Sequence, residues 1–233
     1  MLKKGTIFIA LDVDTKSEAL SIVNNLKGLG AGFKIGKQLF TMEGPSLVKE
    51  IVQMGELVFL DLKYHDIPNT TAKAGLAAAN LGVSMFNVHA SGGRAMMEAV
   101  REEMDKIKNP PIVLAVTVLT SLGAADLHEI GINSTPAEHV ARLAKLAKDS
   151  GMDGVVASAL ETTIIREAAG NDFKILTPGI RPASSSKDDQ KRIATPADAL
   201  RNGSDYLVIG RPVTEAKDQR GAFLSILEEI KGI

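Results

Sequence analysis

In the stretch FLDLKYHDIPNT, Phe59 to Thr70, three charged residues, Asp61, Lys63 and Asp66, follow an apolar run that reads as a buried strand. Two further charges are embedded in the same manner, Asp12 in IALDV and Lys34 in GFKIG. An unpaired ion among such neighbours costs on the order of several kcal/mol, so these residues need one another. If the stretches are adjacent parallel strands, Asp61 and Lys63, two apart on one strand, point to the same face, and Lys34 on the next strand reaches them. The product is an alternating array, Asp12, Lys34, Asp61, Lys63, in which each ion lowers the desolvation cost of the next. Three chemistries fit it. It is a purely structural ion network; or it presents a lysine, kept as an ammonium by its carboxylates, as a placed proton donor rather than a Schiff-base nucleophile; or its carboxylates bind Mg²⁺. The interleaved lysines argue against the metal, because they already supply its positive charge.

A second cluster suits an anion. TPGIRP, Thr177 to Pro182, and VIGRPV, Val208 to Val213, each end an apolar run with Gly and Arg. Glycine lets backbone N–H groups approach an oxyanion, and arginine grips it through two parallel hydrogen bonds. Gln190 lies in the polar stretch RPASSSKDDQKR and adds a donor; a stretch of this length and composition suits a loop that covers a ligand.

The elements that must position these groups are legible. Eight short β-branched runs are expected as strands: Thr6 to Val13, Gly32 to Gly36, Leu57 to Lys63, Met85 to Ala90, Pro111 to Thr120, Gly154 to Ala159, Lys174 to Ile180 and Tyr206 to Arg211. Their near-continuous apolar character is that of strands covered on both faces, which means a parallel sheet. Helical stretches separate them. In STPAEHVARLAKLAKDSG, Thr135 is expected to cap a helix, with Pro136 in its first turn, Glu138 completing a capping box and Gly151 at its end. Thr195, Pro196 and Gly203 repeat the device, a short helix is expected in SLGAADLHEIGINS, and GAFLSILEEI is a last helix. Eight such units over residues 1–233 predict a single-domain (β/α)8 TIM barrel, with an open doubly wound sheet as the alternative. In a barrel, functional groups gather at the C-terminal ends of the strands, where Asp12, Lys34, Asp61, Lys63, His89, Thr120, Ser121, Arg181 and Arg211 fall, and phosphate sites follow strands seven and eight.

Composition removes other classes. With 27 basic and 28 acidic residues, no whole-chain charge favours nucleic acid or an anionic membrane. The absence of cysteine excludes disulfides, thiolate nucleophiles and cysteine-bound metals, and fits a cytoplasmic protein. Asp12 interrupts the first apolar run before it could become a signal or membrane segment.

Along almost its whole length the chain resembles the orotidine 5'-phosphate decarboxylase family. The motifs are ALDVD, FKIG, DLKYHDIPNT, VHASGG, LTS, TPGIRP and IGRPV. The resemblance implies cofactor-free, metal-free decarboxylation of orotidine 5'-monophosphate (OMP) to UMP and CO2. It implies Lys63 as the donor that protonates C6 and Asp61 as the carboxylate beside the substrate carboxylate. Lys34 and Asp12 would contact Asp61 and the ribose hydroxyls, and Thr120 and Ser121 would lie near the pyrimidine. Arg181, Gln190, Gly210 and Arg211 would hold the phosphate, and Asp66 and Thr70 would serve the neighbouring active site of a homodimer. Two rivals remain: a Mg²⁺-dependent sugar-phosphate enzyme sharing Asp-x-Lys-x-x-Asp, and a non-catalytic nucleotide binder.

Overall fold

A computed structural model describes residues 4–182 and 194–233. Eight strands, β1 (Ile7–Ala10), β2 (Gly32–Gly36), β3 (Leu57–Tyr64), β4 (Met85–His89), β5 (Ile112–Val116), β6 (Gly154–Val156), β7 (Lys174–Thr177) and β8 (Tyr206–Ile209), pair in parallel and in sequence order, and β8 returns to β1. This closed single-domain barrel is the (β/α)8 fold expected from the sequence. Several strands are shorter than their apolar runs: β5 stops at Val116 although the run continues to Thr120. Val118 is buried without joining the ladder, since the chain leaving a barrel still packs its apolar side chains.

Helices cover the outside. They are α1 (Lys16–Leu26), α2 (Lys37–Gln53), α3 (Pro68–Asn80), α4 (Arg94–Asp105), α5 (Ala124–Glu129), α6 (Pro136–Asp149), α7 (Thr162–Ala169), α8 (Pro196–Arg201), α9 (Arg211–Thr214) and α10 (Gln219–Glu229). The expected capping box is present: the Glu138 amide donates to Thr135 Oγ1 at 3.3 Å, and the Thr135 amide donates to Glu138 Oε2 at 2.8 Å. Thr195 Oγ1 accepts from the Asp198 amide at 3.0 Å. Gly151 and Gly203 follow their helices with φ of 78° and 106°, the left-handed geometry that ends a helix without a Cβ penalty.

Two apolar layers hold the barrel. One lies between helices and strands; the other fills the interior with Phe8, Phe59, Met85, Leu114, Leu176 and their neighbours. Phe8 packs edge-on against Phe59 at 5.9 Å between ring centres, and Gly32 makes room for it, since a Cβ there would come within 2.6 Å of the Phe8 ring. Inward positions recur every second residue along each strand. Extending that period past Ala10, Phe59 and Met85 leads to Asp12, Asp61 and Asn87, so the polar groups lie as a further layer on top of a packed apolar plug.

Candidate active site

Register sets the order of the charges. Lys34 lies level with Ala10 of β1 and with Phe59 of β3, so Asp12 and Asp61, each two residues further along its chain, flank it on either side. Lys34 Nζ donates to Asp12 Oδ1 at 2.9 Å and lies 3.6 Å from Asp61 Oδ2. Lys63 Nζ donates to the other Asp61 oxygen, Oδ1, at 2.6 Å. The alternating array expected from the sequence is therefore continuous. One premise needs correction: Asp12 is not embedded, because its side chain is 64% exposed just beyond the end of β1, whereas that of Lys34 is 9% exposed. The pairing need arises from Lys34.

A second correction concerns Lys63. Strand alternation alone does not bring it beside Asp61. Between the pairs Leu60↔Phe86 and Tyr64↔Val88, β3 advances four residues while β4 advances two, so residues 61–63 lie against Asn87 alone. Lys63 sits in this bulge with φ of 53°, the one non-glycine residue with positive φ among the described residues. For an L-residue that conformation costs about 1–2 kcal/mol, and its persistence requires surroundings that enforce it. Asn87, fully buried, spans the bulge: it accepts the Lys63 amide at 2.8 Å and donates to Asp61 Oδ1 at 2.7 Å. Sequence reasoning missed Asn87. Its signal was a single amide inside the apolar strand MFNVHA.

Burial pushes the Asp61 carboxyl up, but the charges of Lys34 and Lys63 and the hydrogen bonds from Lys63 and Asn87 outweigh it and hold the group below the usual carboxylate range. Asp61 is thus an anion that its cations and amide keep ionised. His89, at the end of β4, is pushed down to about 4 by burial first and then by His65, Lys37 and Lys63, with Asp61 opposing. Its ring centre lies 5.5 Å from that of His65.

Two cavities meet at the array. The larger, about 520 Å³, has Asp12, Lys34, Asp61 and Lys63 on one side and Gly179, Arg181, Gly210 and Arg211 on the other. The smaller, about 190 Å³, shares Lys34, Asp61 and Lys63 and runs between Phe59, Val116, Leu176 and Thr120. One compartment is lined by charges of both signs, with Arg181, Arg211 and Glu215 beside glycine backbone, and its neighbour is chiefly apolar, with the alternating charges at their junction. Arg181 is buried in the mouth at 7% exposure.

The other expected residues are placed differently. Ser121 is exposed and lines neither cavity. Asp66 and Thr70 also line neither; they belong to an exposed run, His65 to Thr70, in which Ile67 is 67% exposed and Asp66 Oδ1 accepts from the Ile67 amide. Gln190 lies outside the described residues. Among the described residues, no group of three or more His, Cys, Asp or Glu is placed to hold a metal ion, and no helix is long and apolar enough to cross a membrane.

Fold and mouth together define a class: a (β/α)8 barrel with alternating carboxylates and ammonium groups at the strand ends, beside two Gly-Arg termini. Residues 5–226 match the model of the orotidine 5'-phosphate decarboxylase / HUMPS family. Orotidine 5'-phosphate decarboxylases from Vibrio parahaemolyticus and Idiomarina loihiensis are 51% and 50% identical to the chain, each over 96% of it and 97% of the relative. Among solved structures, orotidine 5'-phosphate decarboxylase from Lactobacillus acidophilus superposes with a TM-score of 0.87 at 37% identity, covering 98% of this chain and 100% of that one. An uncharacterized conserved protein from Geobacillus kaustophilus superposes with a TM-score of 0.86 at 39% identity, covering 97% and 100%. The chain belongs to the orotidine 5'-phosphate decarboxylase / HUMPS family.

Proposed function

We propose that the protein is a carboxy-lyase that converts OMP to UMP and CO2 in pyrimidine biosynthesis, without a cofactor or metal. The observation that carries this reading is the unbroken chain of contacts Asp12, Lys34, Asp61, Lys63 at the junction of a polar, arginine-bearing compartment and an apolar one. A nucleoside monophosphate has the matching order of parts. Its phosphate suits the side bounded by Arg181, Gly210 and Arg211, with Gln190 as a further donor. The pyrimidine suits the smaller compartment, which Thr120 lines, and the ribose hydroxyls suit Asp12 and Lys34; Ser121, exposed next to Thr120, would have to turn inward to reach the ring.

The chemistry fits the same order. Loss of CO2 leaves an electron pair in the ring plane at C6, where the ring cannot delocalise it as an enolate. Stabilisation must be electrostatic, from a charge fixed before the bond breaks. Lys63 is that charge: its ammonium faces the developing carbanion and then transfers a proton to C6, leaving a neutral amine. Asp61 anchors Lys63 and stands beside the departing carboxylate, and Lys34 keeps Asp61 ionised. Phosphate binding far from C6 contributes remote binding energy to the reacting centre.

Asp66 and Thr70 enter a neighbouring site in this reading. Both lie on an exposed run with an apolar centre at Ile67, as a surface covered by a second copy would, and the working unit is a cytoplasmic homodimer with shared active sites. The deciding experiment is a spectrophotometric OMP decarboxylation assay with and without EDTA. Full turnover in EDTA is expected. A strict metal requirement would transfer the protein to the Mg²⁺-dependent branch of the family, and binding of UMP without turnover would leave a nucleotide-binding protein.

A further inference from the structure

We infer that Asn87 is a positioning residue for the proton donor, the single side chain that fixes both the backbone of Lys63 and the carboxylate to which the Lys63 ammonium is bound. The inference rests on the decarboxylase reading above.

The geometry has three parts. First, the bulge sets residues 61–63 of β3 against one residue of β4, and a bulge of this kind leaves ladder groups without their regular partners. The Asn87 side chain supplies one such partner, accepting the Lys63 amide at 2.8 Å. Second, its amide donates to Asp61 Oδ1 at 2.7 Å, and the same oxygen accepts Lys63 Nζ at 2.6 Å. Asn87 therefore holds both ends of the Lys63 side chain, the Cα end through the peptide and the ammonium through Asp61. Third, the orientation of the amide has one solution. A peptide N–H needs an acceptor and an ionised carboxylate needs a donor, so exchanging the oxygen and nitrogen of Asn87 would break both contacts.

The type of residue matters. Aspartate would keep the acceptor for the Lys63 amide but set a second carboxylate against Asp61. Leucine would keep the branched outline and the number of side-chain heavy atoms, though with bulkier methyl groups, and satisfy neither neighbour. Asn87 is fully buried and lines neither cavity, so it acts on substrate only through Asp61 and Lys63. The charged or titratable groups facing Asp61 are Lys34 from β2, Lys63 from β3 and His89 at the end of β4, with Asp12 reached through Lys34.

The test uses Asn87→Leu, Asn87→Asp and Asn87→Ser in the full chain, beside wild type and Lys63→Ala. A donor misplaced by roughly an ångström loses about 100-fold in kcat, so Asn87→Leu is expected to lose that much while KM for OMP stays within about threefold of wild type. The acid limb of kcat should move to higher pH in Asn87→Leu, and further in Asn87→Asp, because two carboxylates sharing a site resist ionising together. Independently of turnover, hydrogen exchange at the Lys63 amide should accelerate in Asn87→Leu, stay slow in Asn87→Asp, and leave the rest of β4 unchanged. A folded leucine variant with near wild-type kcat would overturn the inference, as would a loss confined to KM with an unmoved acid limb. Unfolding of all three variants would also overturn it, in favour of a residue needed only for the core. If wild type fails to decarboxylate OMP, or Lys63→Ala keeps its turnover, the decarboxylase reading falls instead, and exchange at the Lys63 amide still decides whether Asn87 is the clamp.

Discussion

Replacing Lys63 by glycine and by alanine separates what the residue does chemically from what its backbone stores. Both substitutions delete the ammonium and its contact with Asp61, so the difference between them reports the backbone alone. At φ of 53° a residue with a Cβ carries about 1–2 kcal/mol of left-handed strain that glycine does not. Against this, glycine gives up about 0.5–1 kcal/mol of extra chain entropy on folding. The balance favours Lys63→Gly by about 0.7 kcal/mol, or about 2 °C in melting temperature for a chain of this size. The contrast comes from an ordinary helical position. At Lys145, exposed in α6, glycine should instead be about 1 kcal/mol less stable than alanine. The assay is reversible thermal or urea unfolding of the four variants, followed by circular dichroism at fixed ionic strength. The glycine-minus-alanine difference is expected to change sign between the two positions. If Lys63→Ala melts at or above Lys63→Gly, the donor is not held in a strained backbone, and the bulge cannot be the device that aims it.

Two other outcomes are expected, one from the surroundings of His89 and one from the proposed shared site. His89, held at about 4 in the folded chain against about 6.5 unfolded, makes the native state bind fewer protons between those values. Stability should therefore be fully present above about pH 6.5 and decline as the pH falls toward 4, and His89→Gln should flatten that decline in urea titrations at about pH 7 and about pH 5. For the proposed dimer, Asp66→Asn and Lys63→Ala subunits, each expected to be inactive alone, should recover activity when mixed and re-associated, because some hybrids would carry one intact site; well-folded hybrids without activity would remove the shared site.

Much of the fold was legible because its signals are local. Eight apolar runs gave eight strands, and Thr135 with Glu138 and Thr195 with Pro196 marked helix starts that exist as read, because a cap needs only residues three apart. Strand ends were less legible: Val118 is apolar for packing and not for pairing, so composition ran past the ladder. At the site, the array could be read from charges in apolar settings, and Lys34 deserved that reading. Asp12 did not, since exposure one or two residues past a strand end depends on where the loop turns. The bulge at Lys63 was invisible. It is a property of how β3 meets β4, and the residue that spans it, Asn87, is 24 positions away. A lone amide in a buried strand signals a partner without saying which one.

The central claim is that the Lys63 ammonium, fixed by Asp61, is what removes CO2 and protonates C6. It is tested most directly by measuring UMP formation from OMP with Lys63→Ala, alongside its affinity for UMP. General acid catalysis contributes about 10²- to 10⁴-fold, so turnover should fall by at least that much while UMP binding changes by less than about tenfold. A folded Lys63→Ala protein that still forms UMP at a near wild-type rate would contradict the account.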